Sequence, residues 1–138
     1  MWSLYAKSTD AIAVCTTYKK LRQLLPSVAR LGLVRYVNYK KAWIPEDNPL
    51  LRFMHKRLSF QHEHELRALI NLDSKDAPLI GNKVNGLKVP IDLNRLITKI
   101  YISPKSSSWF LELVERVCKR YDLRTLPVRS SLYDDPIR

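Results

Sequence analysis

Phe53 to Ile70 reads FMHKRLSFQHEHELRALI. From His64 on, Leu66, Ala68 and Ile70 alternate with Glu63, Glu65 and Arg67, a period of two that predicts a strand over Glu63 to Leu72. Its apolar face turns inward, and the opposite face carries two carboxylates and a guanidinium. Upstream, Asn48 caps Pro49 at a first helical position, and Leu50, Phe53, Met54 and Arg57 recur at three and four, which predicts a helix from Pro49 to Arg57. A strand that follows a helix here makes the chain a mixture of both element types.

The rest of the sequence extends that pattern. DAIAVCT, Asp10 to Thr16, is an apolar run of small and branched residues and predicts a buried strand. Thr16 or Thr17 caps a helix that runs to Leu25 and stops at Pro26. LVRYVNY, Leu33 to Tyr39, predicts a second strand, and Ile44 to Pro49 a loop. Asp73 to Gly86 reads as a polar loop, Leu87 to Ile91 as a short strand, and Asp92 as the cap of the turn LNRLI. Ile97 to Ser103 alternates as a strand that Pro104 ends. Ser106 to Ser108 supply caps for a helix over Trp109 to Tyr121, with Phe110, Leu113, Val114, Val117, Cys118 and Tyr121 on its apolar stripe. Leu126 to Ser131 reads as an edge strand because Pro127 cannot donate to a ladder, and 132–138 reads as a frayed tail. The expected fold is α/β of the α+β kind: one domain over residues 1–138, a mixed sheet of five to six short strands, and two to four flanking helices.

Composition narrows the function classes. The 138 residues suit one domain, and 46% hydrophobic residues are enough for a core. Twenty-four basic against 13 acidic residues give a net charge of +11, which favours anionic partners: a nucleotide, another anionic ligand or nucleic acid. The excess is uneven, since residues 1–62 carry 11 basic and 3 acidic side chains. Cys15 and Cys118 lack CxxC spacing and read as buried small hydrophobes of a reducing, cytoplasmic protein. No run is long enough for a membrane span, and MWSLYAKSTD lacks the apolar core of a signal peptide. Trp2 and Tyr5 fall on one side of a helical turn.

With glycine only at Gly32, Gly81 and Gly86, no phosphate loop or dinucleotide fingerprint is available. A GxSxG elbow and an activated Cys–His pair are absent as well, which argues against serine and cysteine hydrolases. Two constellations remain. Glu63 and Glu65, the candidate catalytic pair, would share a strand face with Arg67. There one carboxylate can accept from a ribose hydroxyl or face an oxocarbenium-like centre while the other orients a nucleophile. The plainer reading of the same residues is an ion ladder to Lys56 and Arg57. Lys56 and Arg57, with Lys40 and Lys41, also form a basic cluster among Tyr36, Tyr39, Trp43 and Phe60, a composition suited to phosphate or stacked bases. Lys56, Arg57 and Arg67 are therefore the candidate ligand-binding residues. His62 and His64 are two apart with His55 upstream, but the HExxH order and a third ligand at diagnostic spacing are missing, so no metal site is expected.

Several stretches resemble an uncharacterised bacterial family catalogued as domain of unknown function twenty-nine seventy-one. They are MWSLYAKSTDAIAVCT, VRYVNY, the block from Phe53 to Ile70, and GLKVPIDLNRLITKIYISPKSSSWF. The resemblance places the family's motif on Lys56, Phe60, Glu63, Glu65 and Arg67. It implies that longer relatives carry a further N-terminal portion, with this chain corresponding to their C-terminal part. A site needing both portions would then be incomplete, and an unfinished sheet edge would invite self-association. The Glu-x-Glu spacing also resembles the terminal motif of arginine-directed ADP-ribosyltransferases, which implies NAD as cofactor and Glu65 as the carboxylate at the nicotinamide ribose. The cofactor-holding Arg and the Ser/Thr strand of those enzymes find no match here. Three functions are thus expected to compete: a domain of the uncharacterised family without autonomous catalysis, a transferase-like enzyme using Glu65, and a basic nucleic-acid-associated module.

Overall fold

The computed structural model describes residues 2–6, 8–71 and 88–133. In chain order the elements are α1 (Trp2–Tyr5), β1 (Ile12–Cys15), α2 (Tyr18–Leu24), β2 (Arg30–Leu33), β3 (Arg35–Val37), α3 (Pro49–Arg52), β4 (His55–Arg57), a 3-10 helix (Leu58–Glu63), β5 (Leu66–Leu69), α4 (Leu93–Leu96), β6 (Lys99–Ile102), α5 (Ser108–Arg120) and β7 (Pro127–Arg129). Helices and strands are mixed as expected for an α+β chain. Contacts group them into two compact units, Met1–Leu24 with Ile91–Arg138, and Leu25–Pro90.

The first unit is built on a three-stranded mixed sheet of order β1-β6-β7. β6 is central, antiparallel to β1 with Ile12 opposite Ile102 and Val14 opposite Ile100, and parallel to β7. Pro127 opens β7 at the sheet edge, where its missing N–H costs no ladder bond. Ile100 and Ile102 are buried with Val114 and Cys118 of α5, and Ile97, Phe110, Leu111 and Leu123 pack around them. The apolar stripe expected on α5 is therefore only half used: Leu113, Val117 and Tyr121 are exposed. A sheet of three strands is too narrow to cover the whole stripe. Helix starts are set locally, because the side-chain oxygens of Thr17, Asp92 and Ser107 accept from Lys20, Asn94 and Phe110 N–H groups. Trp2 and Tyr5 share a side of α1 and, with Ala11, Ala13, Cys15 and Tyr101, line an apolar cavity of about 450 Å³. Cys15 is accordingly only half-buried, not buried as expected, whereas Cys118 is buried and burial raises its thiol pKa.

The second unit corrects three sequence expectations. LVRYVNY is not one strand. The chain changes partner at Val34, whose N–H donates to the Glu65 carbonyl, while the next N–H, of Arg35, donates to Met54. β2 pairs antiparallel with β5, and β3 pairs parallel with β4. The helix predicted to reach Arg57 stops at Arg52. Its end is closed by Phe53 N–H on the Leu50 and Leu51 carbonyls and by His55 Nδ1–H donating to Leu51, at 2.7 Å, and the next residues are drawn into the ladder beside β3. The strand predicted from Glu63 begins only at Leu66, because Leu58–Glu63 is a 3-10 helix and His64 ends it in the left-handed region at φ 45°. Ala68, expected inward, is exposed.

Where the sequence predicts a single sheet of five to six strands, the seven short strands among the described residues are distributed over one mixed sheet and two two-stranded ladders. Gly32 in β2 has a packing role, since a Cβ there would sit 2.7 Å from the Met54 methyl carbon. Residues 88–91, read as part of a strand, have no regular structure. The loop expected over Asp73–Gly86 and most of the 132–138 tail lie outside the described residues. No helix among the described residues is long and apolar enough to cross a membrane.

Candidate site around Lys56 and Glu65

Strand alternation and the reversal at His64 together assemble a four-charge cluster. In the parallel β3–β4 ladder Tyr36 lies opposite Lys56, so both project from the same face. The 3-10 helix then folds back, and Lys56 Nζ donates to Glu63 Oε2 and, at 3.4 Å, to Glu65 Oε2. Glu65 is also gripped by Arg67, whose Nε donates to Oε1 and whose Nη2 donates to Oε2 at 3.0 Å. Arg67 Nη1 reaches the Phe53 carbonyl. The backbone of Glu65 is fixed on both sides: its N–H donates to the Tyr36 hydroxyl at 2.8 Å and its C=O accepts from Val34. Lys56 Nζ lies 4.8 Å from the centroid of the Phe60 ring, within cation–π range. All four charged side chains are between one fifth and one third exposed.

The candidate residues Lys56, Glu63, Glu65 and Arg67 are thus brought together, though not by the geometry the sequence suggested. Glu63 arrives from the 3-10 helix and Glu65 from the position just ahead of β5, so of the three only Arg67 stands in a strand. Arg57 does not join them. It follows Lys56 in β4, so its side chain falls on the opposite face of the ladder, where it lines a separate concavity with Val37 and Lys40. Tyr36 as the anchor of Glu65 escaped sequence reasoning, which weighed it only as an aromatic beside lysines. Its strand position two residues after Val34 was the available signal. His55 is committed to the end of α3 and His64 to a left-handed cap. Among the described residues no three His, Cys, Asp or Glu side chains are placed to hold a metal ion.

Electrostatics decide what this cluster can do. The Arg67 hydrogen bond, reinforced by Lys56, holds the Glu65 carboxyl below the usual carboxylate range despite partial desolvation. Hydrogen bonds to Glu63, then to Glu65, push the Lys56 ammonium above its ordinary value, and Glu65 does the same for Arg67. Glu65 is therefore a fixed anion at neutral pH. It can accept hydrogen bonds or face a developing cation, but it cannot donate a proton. Lys56 stays charged and is no nucleophile.

A folded-state pKa below the unfolded value of about 4.3 means that Glu65 contributes stability above that pH and loses it as the pH falls through the folded value. Melting temperatures measured from about pH 7 to pH 3 are expected to fall more steeply for the wild type than for Glu65→Gln, with the two curves converging at the acid end. Curves that stay parallel over the whole range would show that Glu65 carries no such linkage. The chain matches no protein-family model, no curated protein and no solved structure.

Proposed function

We propose that the chain is a binding domain for a nucleotide or sugar, of the uncharacterised bacterial type that its sequence resembles, and that it has no autonomous catalysis. One observation carries this reading: the Glu65 carboxylate is kept ionised and oriented by Arg67 and Lys56, with its backbone pinned to Tyr36. Arg67 and Lys56 fill three of the roughly four acceptor positions of the Glu65 carboxylate, which leaves one on Oε1 for a hydroxyl of a ribose or hexose, and the Phe60 ring beside Lys56 offers a face for a planar group. Arg67 holds Glu65 as the anion and Glu63 and Glu65 hold Lys56 as the cation, which favours holding a ligand over transforming it. A cytoplasmic setting accords with the free cysteines.

Calorimetric titration with NAD tests the proposal. Wild type is expected to give saturable heat, and Glu65→Gln to bind about tenfold more weakly, the loss of one charge-assisted hydrogen bond. An absence of heat with the wild type would remove NAD and its ribose as the ligand.

The ionised state of Glu65 also favours a second reading, an ADP-ribosyltransferase-like enzyme, because stabilising an oxocarbenium-like centre requires a carboxylate and not an acid. Nicotinamide released from NAD by the wild type but not by Glu65→Gln would select it. The nucleic-acid reading has less to draw on, since Lys56 is spent on Glu63 and Glu65. Filter binding that falls steeply with salt would restore it.

A further inference from the structure

We propose a second, independent site: a concavity at the carboxyl ends of β3 and β4 that takes a small phosphate monoester through Arg57 and Lys40. It does not rest on the reading of Glu65. In the β3–β4 ladder Val37 lies opposite Arg57, on the face away from Lys56. Beyond Val37 the chain turns sharply, with the Asn38 carbonyl accepting from the N–H groups of Lys41 and Ala42, both at 2.9 Å, and Asn38 Oδ1 accepting from Lys40 N–H at 3.0 Å. That turn brings Lys40 back beside the strand ends. Tyr39 is held by its hydroxyl, which donates to the His55 carbonyl at 3.1 Å. These residues, with Leu58, enclose about 390 Å³.

Charge distinguishes this concavity from the four-charge cluster around Glu65. Among the described residues that line it, the two of fixed charge, Lys40 and Arg57, are both cationic and none is acidic. Among the described residues neither is in an ion pair, whereas Lys56 and Arg67 are both consumed by glutamates. Uncompensated like charges around one depression raise the local concentration of anions. The guanidinium fork matches two phosphate oxygens at once, and the ammonium adds a point charge. With its carboxamide oxygen already committed to Lys40 N–H, Asn38 has its amide N–H groups left to donate. The volume lies in the range of roughly 300–1,000 Å³ typical of small-ligand pockets, more than a bare phosphate needs. The Tyr39 ring, Val37 and Leu58 give apolar walls for the group the phosphate is attached to.

The test is a nitrogen-15 NMR titration of the whole chain at constant ionic strength, with inorganic phosphate, adenosine monophosphate and adenosine as separate probes. Phosphate and the monophosphate are expected to shift the amides of residues 37–40, 57 and 58 saturably, the monophosphate at lower concentration, while adenosine leaves them in place. Arg57→Gln and Lys40→Gln, both at exposed positions, are each expected to weaken phosphate binding about tenfold, the loss of one charged contact. Lys41→Gln removes the same charge outside the concavity and is expected to leave phosphate binding within about twofold. Shifts that do not saturate would overturn the site. So would an equal loss in Lys41→Gln, or binding of a single-stranded oligonucleotide that all three cationic variants weaken alike, since either result would reduce the effect to diffuse charge.

Discussion

Ile102→Ala is expected to destabilise the first unit by about 2–5 kcal/mol, read as a lower urea midpoint at unchanged slope. Ile102 is fully buried, the largest side chain so placed among the described residues. It sits on the middle strand, opposite Ile12 on one side and Arg129 on the other, and packs with Ile100, Val114 and Cys118. A core of so few buried residues has little material with which to refill a void, so the removed methylene and methyl groups are lost together with their contacts. Ile12→Ala is the matched control. Its side chain shares the same sheet face but is 47% exposed, and its loss is expected to cost about 1 kcal/mol. If Ile102→Ala and Ile12→Ala cost the same, Ile102 is not the keystone of this core.

Tyr36→Phe is expected to cost about 1–3 kcal/mol in the second unit, because the half-buried N–H of Glu65 loses the hydroxyl that accepts from it while no apolar contact is removed. The substitution is sterically almost silent, so the effect reports the hydroxyl alone. Hydrogen exchange at the Glu65 amide gives the direct readout and is expected to accelerate in the variant, with neighbouring β5 amides changing less. Unchanged exchange would mean that solvent already reaches this N–H. Since the same bond fixes where the Glu65 backbone lies, NAD affinity is expected to fall in Tyr36→Phe with Glu65 itself intact.

What was legible in the sequence was what is decided locally. Caps at Thr17, Asn48, Asp92 and Ser107 were readable because a cap is a bond between near neighbours. The central strand around Ile100 and Ile102 and the edge position of Pro127 were readable from alternation and from the missing proline donor. Pairing partners were not. The helical spacing of Leu50, Phe53 and Arg57 was overridden by the β3 edge, and no local pattern announces that Val34 and Arg35 bond to different segments. The candidate site shows both sides. Its residue types were legible as a charged group of two acids and two bases, but their grouping depends on the left-handed turn at His64, a conformation that non-glycine residues seldom adopt and that period-two reading passes over. The separation of Arg57 from Lys56 was hidden for the same reason, because a helix and a strand send consecutive side chains in different directions.

The order β1-β6-β7 has a temporal consequence. β1 and its partner β6 lie on opposite sides of the whole Leu25–Pro90 unit in the chain, so during synthesis Ile12 emerges from the ribosome long before Ile102 exists to meet it. The Leu25–Pro90 unit is continuous and can close as soon as it is made. The early hydrophobic segment Ile12–Cys15 must wait unpaired through that interval, and its capture by β6 carries the loop-closure entropy of everything translated in between.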